Sequence, residues 1–168
     1  MEEMLNSAGI ELVEAYDHPK EIGALFSEYT DMLIRGNPLF QKYLDMQNYA
    51  YELEHLEEKY GRLGGRLYLA YYKGEVAGCI GLRKIDEQKG ELKRLYVKDD
   101  FREKKIGAIL VDRIIADAKE IGYHFLLLDT LPFLERAQDL YKNRGFLIVD
   151  RFNDSPISSS IYMRLDLK

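Results

Sequence analysis

The chain has 168 residues, a formal net charge of −5 at neutral pH, and 46% hydrophobic against 32% charged residues. This length suits one domain over residues 1–168, and the composition supports a packed core under a polar surface, which excludes a largely disordered chain. The net negative charge argues against nucleic acid as a partner. No apolar run is long enough to span a membrane, and the acidic first residues are unlike a basic secretory leader. We therefore expect a cytoplasmic protein.

The first half of the chain passes from helical to strand periodicity. Apolar residues recur at helical spacing after a short first strand, and later runs alternate around the tight turn Lys73-Gly74-Glu75, which is typical of a hairpin. In chain order the sequence predicts a strand, two helical stretches and a pair of antiparallel strands, at about 10–15, 22–36, 40–60, 66–72 and 76–84.

The second half predicts a strand, a basic loop, an amphipathic helix, a buried strand, a second helix and a closing pair of strands. Gly122 lies where the C-cap of the amphipathic helix is expected. These elements are predicted at about 91–98, 106–121, 124–129, 132–143, 145–151 and 160–167. Strands and helices in this order predict a mixed sheet flanked by helices.

Metal and thiol chemistry have little support in the sequence. Cys79 is the single cysteine, which excludes an internal disulfide and a cluster of thiolates. Because it lies in an apolar run, a buried inert thiol is favoured over a nucleophile. The histidines His18, His55 and His124 are far apart and have no metal-ligand spacing, so we predict no metal site.

The most informative segment is the basic loop before the helix that begins at Ile106. A helix N-terminus presents unpaired N–H groups and a partial positive charge of about half a unit, which together form an anion site. Arg102, Lys104 and Lys105 add side-chain charge, and Gly107 allows a ligand to approach the backbone closely. Cations at this end of a helix oppose its dipole unless an anion is bound. The pattern favours a pyrophosphate site, and the alternative is a solvated basic start to a surface helix.

At this loop the sequence resembles the GNAT superfamily of N-acetyltransferases. The segment Arg102-Glu-Lys-Lys-Ile-Gly107 matches the first and last positions of the pyrophosphate signature Q/R-x-x-G-x-G/A, with Lys105 where the family usually has a glycine. Residues 91–97 look like the fourth strand of the family and residues 127–131 like its fifth. Residues 137–146 look like its A-x-x-L-Y-x-x-x-G-F element.

The resemblance implies a mixed α/β (α+β) fold, in which a mostly antiparallel sheet of about seven strands is flanked by helices and the fourth and fifth strands splay apart. It also implies acetyl-CoA as cosubstrate, with pantetheine between the splayed strands, pyrophosphate on the basic loop, and a main-chain N–H near Leu95 or Tyr96 holding the developing oxyanion. The implied cofactor-binding residues are Leu95, Tyr96, Val97, Arg102, Glu103, Lys104, Lys105, Ile106, Gly107 and Ala108.

The same resemblance implies two catalytic residues. Tyr141 is the candidate acid for the leaving thiolate, because a phenol with a pKa near 10 is protonated at neutral pH; a packing tyrosine is the alternative. Glu91 is the candidate base, acting directly or through water, and an ion pair with Lys93 or Arg94 is nearly as strong an alternative. Strand alternation predicts Glu91, Lys93 and Leu95 on one face of the sheet.

We therefore predict an N-acetyltransferase that moves acetyl directly from acetyl-CoA to an amine within a ternary complex. A non-catalytic acyl-CoA-binding or sensor domain is the alternative. The acceptor, a small molecule or a protein amine, is left open, as is the choice between monomer and homodimer.

Several residues are candidates for the acceptor side of the site. Asp129 and Thr130 border the expected gap between the splayed strands. Arg83 is a candidate to steer a substrate carboxylate, although a plain surface position is favoured for it. The aromatic residues of 36–60 are candidates to wall an amine pocket, although packing in a helix core is favoured for them.

Overall fold

A computed structural model describes residues 4–5 and 8–168 of the chain. Within these residues it contains eight strands and six α-helices, together with a short 3-10 turn at Asp99–Phe101. The elements are β1 (Met4–Leu5), β2 (Ile10–Glu14), α1 (Pro19–Gly36), α2 (Phe40–Met46), α3 (Tyr49–Glu54), α4 (Leu56–Tyr60), β3 (Arg66–Tyr72), β4 (Glu75–Lys84), β5 (Lys89–Val97), α5 (Ile106–Ile121), β6 (Phe125–Thr130), α6 (Glu135–Asn143), β7 (Leu147–Val149) and β8 (Ile161–Asp166).

All the described strands belong to one sheet, in the order β1-β2-β3-β4-β5-β6-β8-β7. Every neighbouring pair is antiparallel except β5 and β6, which are parallel and are connected through α5. The apolar side of α5, which includes Ile106, Leu110 and Ile114, packs on one face of the sheet, and Ile22 and Phe26 of α1 pack on the other. The predicted mixed, mostly antiparallel sheet with flanking helices is confirmed, and the two-residue β1 makes an eighth strand.

Three predicted elements differ in extent from those observed. The helical stretch 40–60 is divided into α2, α3 and α4. Asn48, with a left-handed φ of 56°, separates α2 from α3, and His55, with a non-helical φ of −134°, separates α3 from α4. The helix predicted from Pro132 begins at Glu135, after a turn in which the Leu134 N–H donates to the Leu131 carbonyl at 3.0 Å. The strand predicted at 145–151 is paired only over Leu147–Val149.

The sheet divides where β5 leaves β6. The two strands pair only over Lys89–Glu91 and Phe125–Leu127, after which β5 follows β4 and β6 follows β8. Beyond Glu91, the N–H and C=O groups on this edge of β5 have no neighbouring strand. Such groups need other partners, so the gap exposes main-chain donors and acceptors. The predicted splay is confirmed.

A β-bulge lies on the open stretch of β5. The register against β4 shifts between Cys79 and Gly81, so that Arg94 and Leu95 together lie opposite a single residue. Arg94 has a left-handed φ of 61°, which is rare for a residue with a long side chain. The bulge inserts one extra residue in the alternation of side chains along the strand.

This extra residue changes which side chains share a face. Leu95 packs against the core on the α5 side of the sheet. Lys93 and Glu91 line a cavity with α2 residues on the opposite side. The prediction that Glu91, Lys93 and Leu95 share one face is therefore wrong, because simple alternation holds only in a strand without a bulge.

Candidate active site

A groove of about 1150 Å³ opens where β5 and β6 diverge, and we call it the β5–β6 groove. Nine of the ten predicted cofactor-binding residues line it: Leu95, Tyr96, Val97, Arg102, Glu103, Lys105, Ile106, Gly107 and Ala108. The exception is Lys104, whose Nζ lies 4.8 Å from the centroid of the Tyr72 ring, in a cation–π contact outside the groove lining.

The loop that enters α5 has an unusual backbone. Glu103 and Lys105 have left-handed φ angles of 68° and 64°, a conformation that costs a side-chain-bearing residue roughly 1–2 kcal/mol. Lys105 holds this conformation at the N-cap of α5, where the family signature usually has glycine. Turns of this kind converge their N–H groups on one side and bind anions. No side chain caps α5, so its first N–H groups are not satisfied within the helix.

The cationic side chains around this loop make different contacts. Arg102 donates from Nε to the Val97 carbonyl at 2.9 Å, which ties the loop to the end of β5. Two further arginines, Arg35 and Arg136, which were not predicted from the sequence, line the same groove. Nη2 of Arg136 lies 3.5 Å from Oε1 of Glu103, across the groove mouth. Cations thus line the groove beyond its loop, where the carboxylates Asp129 and Glu135 line it too.

Gly107 leaves space that the protein itself does not fill. A Cβ at this position would meet Leu140 Cδ2 at 3.5 Å and Val97 Cγ2 at 3.9 Å, which are ordinary van der Waals distances. Its φ lies outside the left-handed region. Neither packing nor backbone conformation requires glycine here, so the missing side chain makes room in the groove. The residues present therefore fit a phosphate-bearing cosubstrate such as acetyl-CoA.

Tyr141 lies on α6 at the inner end of the groove. It is 5% exposed, and its ring packs against Phe146 with centroids 5.6 Å apart. Its hydroxyl makes no hydrogen bond with another residue in the described part of the chain. Burial raises the pKa of Tyr141, and the nearby Tyr29 and Asp129 raise it further. The phenol is thus protonated at neutral pH and available to a ligand.

Behind Tyr141 the groove meets a small space that we call the inner cavity. Its volume is about 30 Å³, enough for about one or two water molecules. It lies between α1, α2, the β5 bulge and the end of β6. Its lining residues are Tyr29, Leu33, Phe40, Tyr43, Gln47, Leu92, Lys93, Arg94, Leu95, Asp129, Thr130, Leu131, Leu134, Tyr141 and Ser160.

Asp129 supplies a carboxylate to the inner cavity. It accepts hydrogen bonds from the Tyr43 hydroxyl and, at 2.9 Å, from Nδ2 of Asn153, whose Oδ1 accepts from the Tyr162 hydroxyl at 2.9 Å. Burial and the charge of Asp129 raise the pKa of Tyr43, so this phenol is a donor at neutral pH. The expectation that Asp129 and Thr130 border the gap agrees with their positions, since both line the groove and the inner cavity.

Glu91 lies in a different space from Tyr141. It is 2% exposed, accepts from Nε of Arg83 at 2.7 Å, and has Nζ of Lys93 at 3.9 Å. It lines neither the groove nor the inner cavity but a third space of about 470 Å³ beside α2, which we call the outer cavity. Of the two ion pairs predicted as the alternative to a role as base, the one with Lys93 is present at 3.9 Å, and the one with Arg94 is not, because Arg94 binds Glu52. The main partner, Arg83, was not predicted as one.

A buried ion network beside the bulge was not predicted from the sequence. Arg94 donates from Nε and Nη2 to the two carboxylate oxygens of Glu52 in α3, at 3.1 and 2.9 Å. Glu52 also accepts from Nζ of Lys59 at 2.6 Å and from the Tyr60 hydroxyl at 2.8 Å. Burial opposes the ionisation of Glu52, but the charges of Arg94 and Lys59 outweigh it and lower its pKa to about 2. The network fixes α3 and α4 to the bulge.

Cys79 is a structural thiol. It is fully buried, its Sγ donates to the Arg94 carbonyl at 3.3 Å, and burial raises its pKa. Over residues 4–5 and 8–168, no three side chains of His, Cys, Asp or Glu are grouped as ligands for a metal ion, and no helix is both long and apolar enough to cross a bilayer.

Comparisons with known proteins agree with this geometry. Residues 35–146 match the family described as the Acetyltransferase (GNAT) family. An uncharacterised N-acetyltransferase of Dictyostelium discoideum is 31% identical, with 95% of this chain and 99% of the relative covered.

Solved structures extend the match. A GNAT family acetyltransferase of Staphylococcus aureus aligns at a TM-score of 0.73 and 25% identity, covering 95% of this chain and 99% of that one. A GNAT family acetyltransferase of Elizabethkingia anophelis, solved with acetyl-CoA bound, aligns at a TM-score of 0.53 and 26% identity, covering 61% of this chain and 76% of that one. The expected family, activity and cosubstrate are confirmed: the chain belongs to the GNAT family and is an acetyl-CoA-dependent N-acetyltransferase.

Proposed function

We propose that the enzyme transfers acetyl directly to an amine while both substrates are bound, with Tyr141 as the acid for the leaving thiolate. The observation that carries this proposal is the position of Tyr141, which lines both the β5–β6 groove and the inner cavity. A phenol there can touch a thioester that enters from one side and an amine that enters from the other. Acetyl-CoA supplies the activated acyl group on a thioester sulfur.

In this proposal the protein binds the pyrophosphate, stabilises the negative charge that develops on the acyl oxygen, and donates a proton to the leaving thiolate. The first turn of α5 and the Glu103–Lys105 loop hold the pyrophosphate through main-chain N–H groups. Main-chain N–H groups at the bulge near Leu95, which have no neighbouring strand, stabilise negative charge on the acyl oxygen; one such donor contributes about 2.7–4 kcal/mol. Tyr141 gives its proton to the sulfur as the C–S bond breaks and the amine nitrogen bonds to the acyl carbon.

The amine must lose a proton, since an alkyl ammonium with a pKa near 10 carries almost no free base at neutral pH. Two carboxylates are candidates to receive it. Asp129 lines the same inner cavity as Tyr141, which favours it for direct transfer. Glu91 lines the outer cavity and is paired with Arg83, so it serves as the base only through a chain of water molecules. We assign the direct role to Asp129 and keep Glu91 as the alternative base.

Two measurements test the proposed function. Titration calorimetry with coenzyme A tests the groove, and release of free thiol from acetyl-CoA with a panel of amines tests the transfer. We expect saturable binding of coenzyme A and thiol release that depends on an amine. Binding of coenzyme A without amine-dependent thiol release across the panel would favour the acyl-CoA sensor, and the absence of binding would exclude both.

A further inference from the structure

Lys93 is a buried cation without a close partner. The residue is 8% exposed, and its Nζ makes no hydrogen bond to another residue in the described part of the chain. Its only ion-pair partner there within 4.0 Å is Glu91, whose Oε2 is 3.9 Å away and whose Oε1 already accepts from Arg83 at 2.7 Å. Burial lowers the pKa of Lys93, although the charge of Glu91 opposes this effect. An anion bound beside Nζ would favour the charged form of Lys93 further.

The cavities around Lys93 are lined by both cations and carboxylates. Lys59, Arg83 and Arg94 are the other cations, and the carboxylates in the lining are Glu91, Asp129 and Asp154. Burial and the charges of Lys93 and Arg94 lower the pKa of Lys59 to about 7 despite its contact with Glu52. An added negative group would relieve this repulsion.

Lys93 also connects the spaces through which an acceptor reaches Tyr141. Its side chain lines both the outer cavity and the inner cavity, together with Tyr43 and Gln47. Asp129 and Tyr141 line the inner cavity as well. The inner cavity therefore contains a carboxylate, the candidate acid, and a cation that also lines the outer cavity. These two opposite charges match a molecule with an ammonium and a carboxylate a few bonds apart.

We propose that the acceptor is an amino acid or a close analogue, whose carboxylate binds Lys93 at the junction of the two cavities while its amine lies between Asp129 and Tyr141. Arg83 at the outer cavity adds long-range attraction for the carboxylate. The inference rests on the proposed amine acetylation, and it deepens it by naming the chemical class of the acceptor.

The test compares each proteinogenic L-amino acid with its carboxamide and its decarboxylated amine, by release of free thiol from acetyl-CoA. We expect at least one amino acid to exceed both of its partners in kcat/KM by about 30-fold or more, the effect of one buried charge pair. Lys93→Met should abolish this preference by lowering kcat/KM for the amino acid alone. Lys93→Arg, which retains the charge, should restore most of it.

Lys89→Met is the matched control, since Lys89 is a partly exposed lysine on the same strand, paired with Asp86 at 3.2 Å. It should leave the preference unchanged. Calorimetry with coenzyme A on every variant reports whether the groove is intact. Amides and decarboxylated amines that react as fast as the amino acids, or a Lys93→Met variant that slows both classes alike, overturn the inference and leave the acetyltransferase standing. A panel in which no amino acid reacts also overturns it, and the titration then shows whether the cosubstrate site fails too.

Discussion

The β5–β6 groove and the inner cavity adjoin at Tyr141 but are built in opposite ways. The largest part of the groove lining comes from one continuous segment, from the end of β5 to the first turn of α5, and the proposed pyrophosphate site on this segment uses backbone groups. The inner cavity takes its lining from α1, α2, β5, β6 and α6, and its charges come from residues far apart in sequence. In the proposed function, the side that binds the constant cosubstrate is therefore local and backbone-based, and the side that selects the acceptor is assembled by the fold.

This difference predicts that substitutions separate into those that change coenzyme A binding and those that change only the acceptor side. Tyr141 belongs to both spaces and should have the largest effect on turnover. We expect Tyr141→Phe to lower kcat about 10²–10⁴-fold, the range for a positioned acid, and to leave the Kd of coenzyme A unchanged. Steady-state assays of thiol release measure kcat, and titration calorimetry measures the Kd of coenzyme A. Turnover equal to that of the wild type would remove Tyr141 from the chemistry.

Glu52 should affect the acceptor side indirectly, through the stability of the buried ion network that holds α3 and α4 against the bulge. Glu52→Gln leaves Arg94 and Lys59 buried without a carboxylate, and we expect it to lower the free energy of unfolding by about 3–5 kcal/mol at neutral pH. Because the folded-state pKa of Glu52 is lowered to about 2 from 4.5, this stabilisation is complete above pH 4.5 and is lost as the pH falls through 2. Denaturant unfolding between pH 2 and 7 should therefore show the two proteins converging in acid.

The matched control for Glu52 is Glu87→Gln. Glu87 is an exposed carboxylate whose side chain is 88% accessible, and it pairs with Lys84 on the surface. Exposed pairs contribute little, so we expect a change below about 1 kcal/mol. If Glu52→Gln is as harmless as Glu87→Gln, the buried network does not hold α3 on the bulge.

Asp129 and Glu91 can be distinguished as bases by comparing isosteric amides. We expect Asp129→Asn to lower kcat about 10²-fold, at the lower end for a positioned base, with unchanged coenzyme A binding. Glu91→Gln should lower kcat less than about tenfold, because Glu91 acts only through water. The pH profile of kcat, recorded for both variants, is the readout. The reverse order of effects would return the role of base to Glu91.

Of these substitutions, Gly107→Ala should have the smallest effect, and the effect should be limited to the affinity for coenzyme A. A methyl group there meets only ordinary contacts within the protein, and alanine favours helix by up to about 1 kcal/mol, so Gly107→Ala should fold at least as stably as the wild type. The same methyl occupies ligand space, and we expect the Kd of coenzyme A to rise about tenfold, or about 1.4 kcal/mol. Gly23→Ala on α1, where an added Cβ meets nothing within 4 Å, is the control. Equal affinities in the two variants would show that no ligand approaches Gly107.

The sequence predicted the groove well because its signals are local. A strand followed by basic residues and a helix start defines an anion site within a few residues, and the family resemblance extends it to Tyr141. The role of Lys93 was not predicted, because the cavities that it lines are formed with residues far away in the sequence, such as Tyr43 and Gln47. The pairing of Arg94 with Glu52 was not predicted either, since nothing in a charged helix indicates which of its carboxylates will be buried. A left-handed φ at a residue with a long side chain, such as Arg94, cannot be predicted from the residue type.

The short contact between β5 and β6 has a mechanical consequence. The sheet is continuous at that point through only three residue pairs, so its five-stranded and three-stranded portions meet along a narrow seam. If the cosubstrate lies in the gap, as proposed, it contacts both portions and takes the place of the missing ladder. Binding of the cosubstrate should therefore reduce the motion of the two portions relative to each other. A ligand that binds only when the two portions are in place stabilises that arrangement, so separation of β5 from β6 should cost more free energy in the complex than in the free protein.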